Sequence, residues 1–174
     1  MPPRSRQDDV YDIEQNLYRY ARGVDRKDWA QVRAAYHVDA YDNHGSYKGN
    51  VDGFIASLEK RHATIERSIH LISNVTVEFI DDDSALVESY FTAHQRIAAG
   101  VSSDMAVDNQ SIGRYLDHVT RRDGRWRIQR RDVLFDFYFT HPAQDASRLT
   151  ADVSKSRRDA DDLLFVRRAE LGLS

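Results

Sequence analysis

The hydrophobic period of this chain changes near residue 65, and that change limits the folds open to it more than any other feature. Upstream, Ile13, Leu17, Tyr20 and Val24 are spaced by four, three and four, which is one stripe of a helix over roughly 9–23. "DRKDWAQVRAAY" predicts a second helix, with Trp29, Val32 and Tyr36 on one side. Asp28 suits its N-cap, because the carboxylate accepts a free backbone N–H. "DAYDNHGSYKG" reads as a short strand ending in a turn at Lys48-Gly49, and "NVDGFIASLEKRHATI" as a third helix with Phe54, Leu58 and Ile65 inward. Downstream, "SIHLISNVTVEFI" alternates and is rich in β-branched residues. It is followed by the turn "DDDS", the strand "ALVESYFTAHQRIAA", the loop "GVSSDMAVDN" and two further strands, "QSIGRYLDHVTR" and "GRWRIQRRDVLFDFYF", joined through the hairpin signal "RDG". From His141 the chain is polar and irregular, with a helix expected around 157–171.

Helices followed by an antiparallel meander imply an α+β fold. The expected form is a cone-shaped α+β barrel, a curved antiparallel sheet capped by three N-terminal helices around a pocket. With 174 residues, a single domain over 1–174 is expected, its core at about 9–140 and a C-terminal extension at 141–174. The net charge of −3 argues against nucleic acid as a partner, since phosphate binding needs a basic surface. There is no cysteine, so disulfides, thiolate nucleophiles and cysteine-bound zinc are excluded. No apolar run approaches the ~18 residues of a membrane span, and "MPPRSRQDD" lacks the apolar core of a secretory signal. A cytoplasmic protein with no membrane partner is the expectation.

Several titratable residues stand where they could meet. Asp25 follows the apolar stripe of the first helix, either as a surface carboxylate leading into the next helix or as one aimed into a cavity. Tyr20 lies one turn earlier on the same stripe, as a pocket phenol or as plain core. Tyr115 has the same two readings. His94 shares a strand face with Tyr90, Thr92 and Arg96, which is either the cavity side or a solvated one. Asp42 and His44 share parity on the short strand, and Asp42 inside would need a partner. Arg131, deep in the last strand, must likewise be paired, functional or solvent-facing. Trp29, Phe54, Phe135 and Phe137 read as core or pocket wall. No HxH or HExxH spacing occurs, so no metal site is expected.

Five short stretches carry a resemblance: "VDRKDW" at 24–29, "SYKG" at 46–49, "IHLISN" at 69–74, "AHQR" at 93–96 and "YLDHVTRRDGRWRIQRR" at 115–131. Their order and spacing over roughly residues 9–140 resemble the SnoaL-like branch of the nuclear-transport-factor-2-like fold. That branch includes scytalone dehydratase, hexachlorocyclohexane dehydrochlorinase and bile-acid 7α-dehydratase. The resemblance implies that Asp25 holds the ring of His70, which removes a proton from carbon. It implies that His94 or Arg131 assists the departing group, and that His44 replaces a water-activating tyrosine. A buried carboxylate beside an imidazole favours one tautomer and stabilises the imidazolium that forms. The expected activity is a cofactor-independent, dehydratase-like lyase acting on a mid-sized hydrophobic aromatic or alicyclic molecule, with His94, Tyr20 or Arg131 assisting the departing group. Tyr20, His44, Tyr115 and Asp42 would contact the substrate. The alternatives are a ketosteroid-isomerase-like proton shuffle, or a non-catalytic binding or dioxygenase small-subunit-like module. A homo-oligomer, dimer or trimer, is expected because exposed sheet faces in such folds are commonly covered by a second subunit.

Overall fold

The computed structural model describes residues 5–144 and 153–173. The predicted single-domain span and the C-terminal extension therefore fall partly on residues outside the described ones. The element order is α1 Arg6–Arg26, α2 Trp29–Ala34, β1 Tyr36–Asn43, β2 Lys48–Asn50, α3 Val51–His62, β3 Ile65–Phe79, β4 Ser84–Ile97, β5 Val107–Arg122, β6 Arg125–Pro142 and α4 Leu163–Glu170. Helix α1 starts three residues before the predicted helix because Ser5 and Asp8 form a capping box, each side chain taking the other's backbone N–H. That first turn has no apolar residue, so a hydrophobic stripe cannot reveal it. Asp28 is the N-cap of α2 as predicted, accepting from Gln31 N, and Asn50 caps α3 through Gly53 N.

The six strands form one unclosed sheet in the order β2-β1-β6-β5-β4-β3. All pairs are antiparallel except β1 with β6, which run parallel. The predicted turn at Lys48-Gly49 is a correction. The chain turns earlier, with His44 N bonded to Tyr47 O, and Lys48 and Gly49 pair back onto Asn43 and Asp42. The "RDG" hairpin forms as predicted. Arg122 pairs with Arg125, and Asp123 and Gly124 both take positive φ, 53° and 72°, as a two-residue type I′ turn requires.

The stripe Ile13, Leu17, Tyr20 and Val24 is buried against the concave face of the sheet, with Val32, Phe54 and Leu58 from α2 and α3. Bulges bend the strands. In β6 an extra residue, Asp136, sits between Phe135, opposite Gly113, and Phe137, opposite Ile112. Phe135 and Tyr138 thereby both face inward although three residues apart. The strands approach closely here, and a Cβ on Gly113 would lie 2.0 Å from Leu134 O. No helix among the described residues is long and apolar enough to cross a membrane.

Candidate active site

The helices do not fill the cone. Between α1, α3 and strands β3 to β6 lies a cavity of about 650 Å³. Its wall is mostly apolar, with Leu58, Ile65, Phe91, Ile97, Val133 and Phe135 prominent. The polar groups that reach it include His70, His44, Tyr20 and Asn109.

Asp25, on the last turn of α1, is buried and meets the start of β3. Its Oδ1 accepts from Ser68 Oγ at 2.8 Å and from His70 Nδ1 at 2.6 Å, and its Oδ2 accepts from His70 N at 2.8 Å. A carboxylate can only accept, so His70 donates from Nδ1, and in the neutral ring the lone pair is on Nε2. Burial works against the charge on Asp25, but the bonds from His70 and Ser68 outweigh it and hold the carboxyl below its ordinary value.

A second pair stands on the opposite wall. His44 Nδ1 lies 2.5 Å from Asp42 Oδ1, and Tyr36 Oη donates to Asp42 Oδ2 at 2.8 Å. His44 stacks on Phe54 at 4.4 Å, and its Nε2 is 3.4 Å from Tyr20 Oη. Burial lowers the His44 pKa, with Asp42 pulling the other way, so the ring is a neutral acceptor near pH 7. Burial also lifts the Tyr20 phenol to about 12, leaving it protonated. Tyr115 lines the cavity beside Tyr20, its pKa raised by burial, and stacks on Phe91 at 4.6 Å.

Arg131 is deep, as predicted, but stands behind the cavity wall. It is fully buried and forms a two-pronged ion pair with Asp117, Nε to Oδ1 at 2.7 Å and Nη2 to Oδ2 at 2.6 Å. Its guanidinium carbon lies 3.9 Å from the ring centre of Tyr115 and 4.4 Å from that of Tyr20. Burial opposes its charge, but Asp117 and the surrounding phenols drive its pKa up. Between Arg131 and the cavity stand the rings of Tyr20 and Tyr115. Asp42 is likewise fully buried and acts through His44.

His94 is a correction. It lies on the outer face of β4, exposed, 3.5 Å from Gln110 Nε2. The inward parity of β4 is Ala85, Val87, Ser89, Phe91, Ala93 and Gln95, so the residue that reaches the cavity from "AHQR" is Gln95. Phe137 is also outside, 58% exposed on the convex face. The sequence reading missed Ser68, Tyr36, Asn109 and Asp117. Ser68 shares the parity of His70, and Asn109 and Asp117 share that of Tyr115, so strand alternation was the available signal.

A helix-capped, unclosed, curved sheet around a mostly apolar cavity with a few convergent polar groups defines a small-molecule-binding cone of the nuclear-transport-factor-2-like class. Within that class the chain belongs to the SnoaL-like domain family, whose profile matches residues 5–132. Among solved structures it is similar to a hexachlorocyclohexane dehydrochlorinase, LinA Type2, at 14% identity and a TM-score of 0.70, over 85% of this chain and 97% of the other. It is similar to a proposed scytalone dehydratase from Novosphingobium aromaticivorans at 19% identity and a TM-score of 0.68, over 84% and 95% of the two chains. It is also similar to a proposed aromatic ring hydroxylase from the same organism at 19% identity and a TM-score of 0.67, over 80% and 96%. At such identities the likeness speaks for the fold. A comparison with curated protein sequences finds no match.

Proposed function

We propose that this protein is a cofactor-independent lyase that dehydrates a mid-sized hydrophobic aromatic or alicyclic molecule. The observation that carries the reading is the Asp25–His70 pair, 2.6 Å apart, at the wall of an open, mostly apolar cavity. His70 Nε2 takes a proton from carbon, and Asp25 stabilises the imidazolium that forms. The electrons of that C–H bond become the new double bond, the adjacent C–O bond breaks, and the departing oxygen takes the proton of Tyr20. Water leaves. The phenolate formed on Tyr20 is stabilised by Arg131 behind its ring and is reprotonated, as His70 loses its proton, through solvent. The 3.4 Å contact from Tyr20 to His44 is long enough to be exchanged for a closer one with a ligand. Loss of a halide or formaldehyde uses the same parts. The reading includes a cytoplasmic location and a homo-oligomer, dimer or trimer, across the convex sheet face, where Ile69, Leu71, Tyr90, Phe137 and Phe139 are exposed.

The test is a screen of hydroxylated aromatic and alicyclic compounds for loss of one water by mass spectrometry. Turnover in His70→Ala and Asp25→Asn should fall by about 10²–10⁴. A His70→Ala protein with full turnover overturns the proposal. One observation favours a second reading, an isomerase: Asp42–His44 gives the cavity a second carboxylate-backed imidazole, so a proton could leave one carbon and return at another. Product mass equal to substrate mass selects it.

A further inference from the structure

The C-terminal extension returns to the end of α1 and inserts one arginine behind Asp25. Arg158 Nε donates to Asp25 O at 2.7 Å, Nη2 to Val24 O at 3.0 Å and Nη1 to Ile65 O at 2.6 Å. Nη2 also lies 2.6 Å from His62 Nδ1. Val24 and Asp25 carry two of the last α1 carbonyls; that of Val24 also takes a long 3.4 Å bond from Lys27 N, and a cation there suits the helix dipole. Ile65 opens β3, the strand that carries Ser68 and His70. One planar guanidinium therefore ties the helix end bearing the carboxylate to the strand start bearing the imidazole.

The partners of this cation are neutral. Burial, then the charge of Arg158, lowers the His62 pKa to about 2, so the ring stays an acceptor. The segment has its own anchor. Asp162 caps α4 through Leu164 N, accepts from Arg157 N at 2.8 Å, and lies 3.4 Å from Arg26 Nε at the α1 terminus. Lysine could not replace Arg158, because an ammonium lacks the fixed fork that spans two elements.

We propose that Arg158 is a positioning residue: it fixes the spacing between the α1 terminus and β3, and so holds the Asp25 carboxylate on His70 Nδ1. Its consequence for turnover rests on the lyase reading, but its effect on the His70 ring does not. The test uses full-length, isotope-labelled protein and nuclear magnetic resonance of the imidazole nitrogens. In the wild type, His70 should show one tautomer, protonated at Nδ1, with a slowly exchanging ring proton. In Arg158→Ala that proton should be lost to exchange and both tautomers should appear, while the methyl signals of Ile13, Leu17 and Val32 stay in place. Millimolar guanidinium should restore the single tautomer and tetramethylammonium should not. If Arg158→Ala does not fold, Arg158→Gln, whose amide cannot reach both elements at once, is read in the same way. A folded variant that keeps the wild-type tautomer and protected proton overturns the proposal, as does a loss that guanidinium leaves unrestored. On a substrate found by the screen, kcat should fall about tenfold to a hundredfold with KM changing little. If His70→Ala retains turnover, the lyase reading falls and the resonance experiment still decides the role of Arg158.

Discussion

His94 and Gln95 are neighbours in the chain and end on opposite faces of β4. The same local composition serves either register, and only sheet pairing chooses. We expect His94→Ala to keep turnover within about twofold of wild type, as for a surface change, whereas Gln95→Ala, on the cavity wall, should alter KM. Stability should also carry the mark of single residues. Asp25 has a folded pKa below its unfolded one, so it contributes stability above about pH 4 that is lost as pH falls through the folded value. His62 works in the same direction from a higher pH. The unfolded chain binds its proton near pH 6.5 while the folded ring resists until about 2. Folding stability should therefore drop by about 1.4 kcal/mol for each pH unit below ~6.5 on account of this ring. Urea unfolding at about pH 7.5 and pH 5.5 measures this, and His62→Gln should flatten the slope. An unchanged slope would show that the ring already takes up a proton in the folded state.

At the scale of elements, the β5–β6 pair carries both a close backbone approach at Gly113 and a fully buried ion pair. Asp117 and Arg131 face each other in register, fully buried. Removing one partner strands the other charge, so Arg131→Met should destabilise by about 3–5 kcal/mol in urea unfolding. Replacing both with leucine should recover much of that loss, because two ions then leave the interior together. An additive double mutant would contradict the coupling. In the hairpin, Gly124→Ala should cost about 1 kcal/mol, since φ of 72° disfavours a Cβ. The "RDG" turn was readable because its chemistry is local. The β1–β2 turn was not. "DNHGSYKG" holds two glycines that could each turn the chain, and pairing of Lys48 and Gly49 with the β1 edge decided between them.

The whole molecule presents a convex sheet face with Phe137 stacked on Phe139 and with Tyr90 and Leu71 also exposed. Exposed apolar patches of this kind mark association surfaces. We expect sedimentation velocity to show a dimer or trimer, and Phe137→Glu with Phe139→Glu to shift it toward monomer; a monomeric wild type would refute the oligomer. Phe137 read as core or pocket wall, but the extra residue Asp136 puts it on the convex face. The bulge belongs to the pairing with β5, so no single-strand pattern displays it. Arg158 is harder still. Its partners lie 133, 134, 93 and 96 residues away, and nothing around it in the chain marks it among the many arginines.

The elements and their order are written locally in the chain: the stripe of α1, the cap at Asp28, the alternating strands and the 123–124 turn. Each depends on side-chain period and backbone preference within a few residues. Packing between distant strands sets which face of β4 turns inward and seats Arg131 behind the phenols. The same packing brings a second imidazole–carboxylate pair to the cavity, and the C-terminal segment brings Arg158 onto the carbonyls of Val24, Asp25 and Ile65. Those outcomes depend on register and bulges between strands distant in sequence, where a shift of one residue sends a side chain to the opposite face.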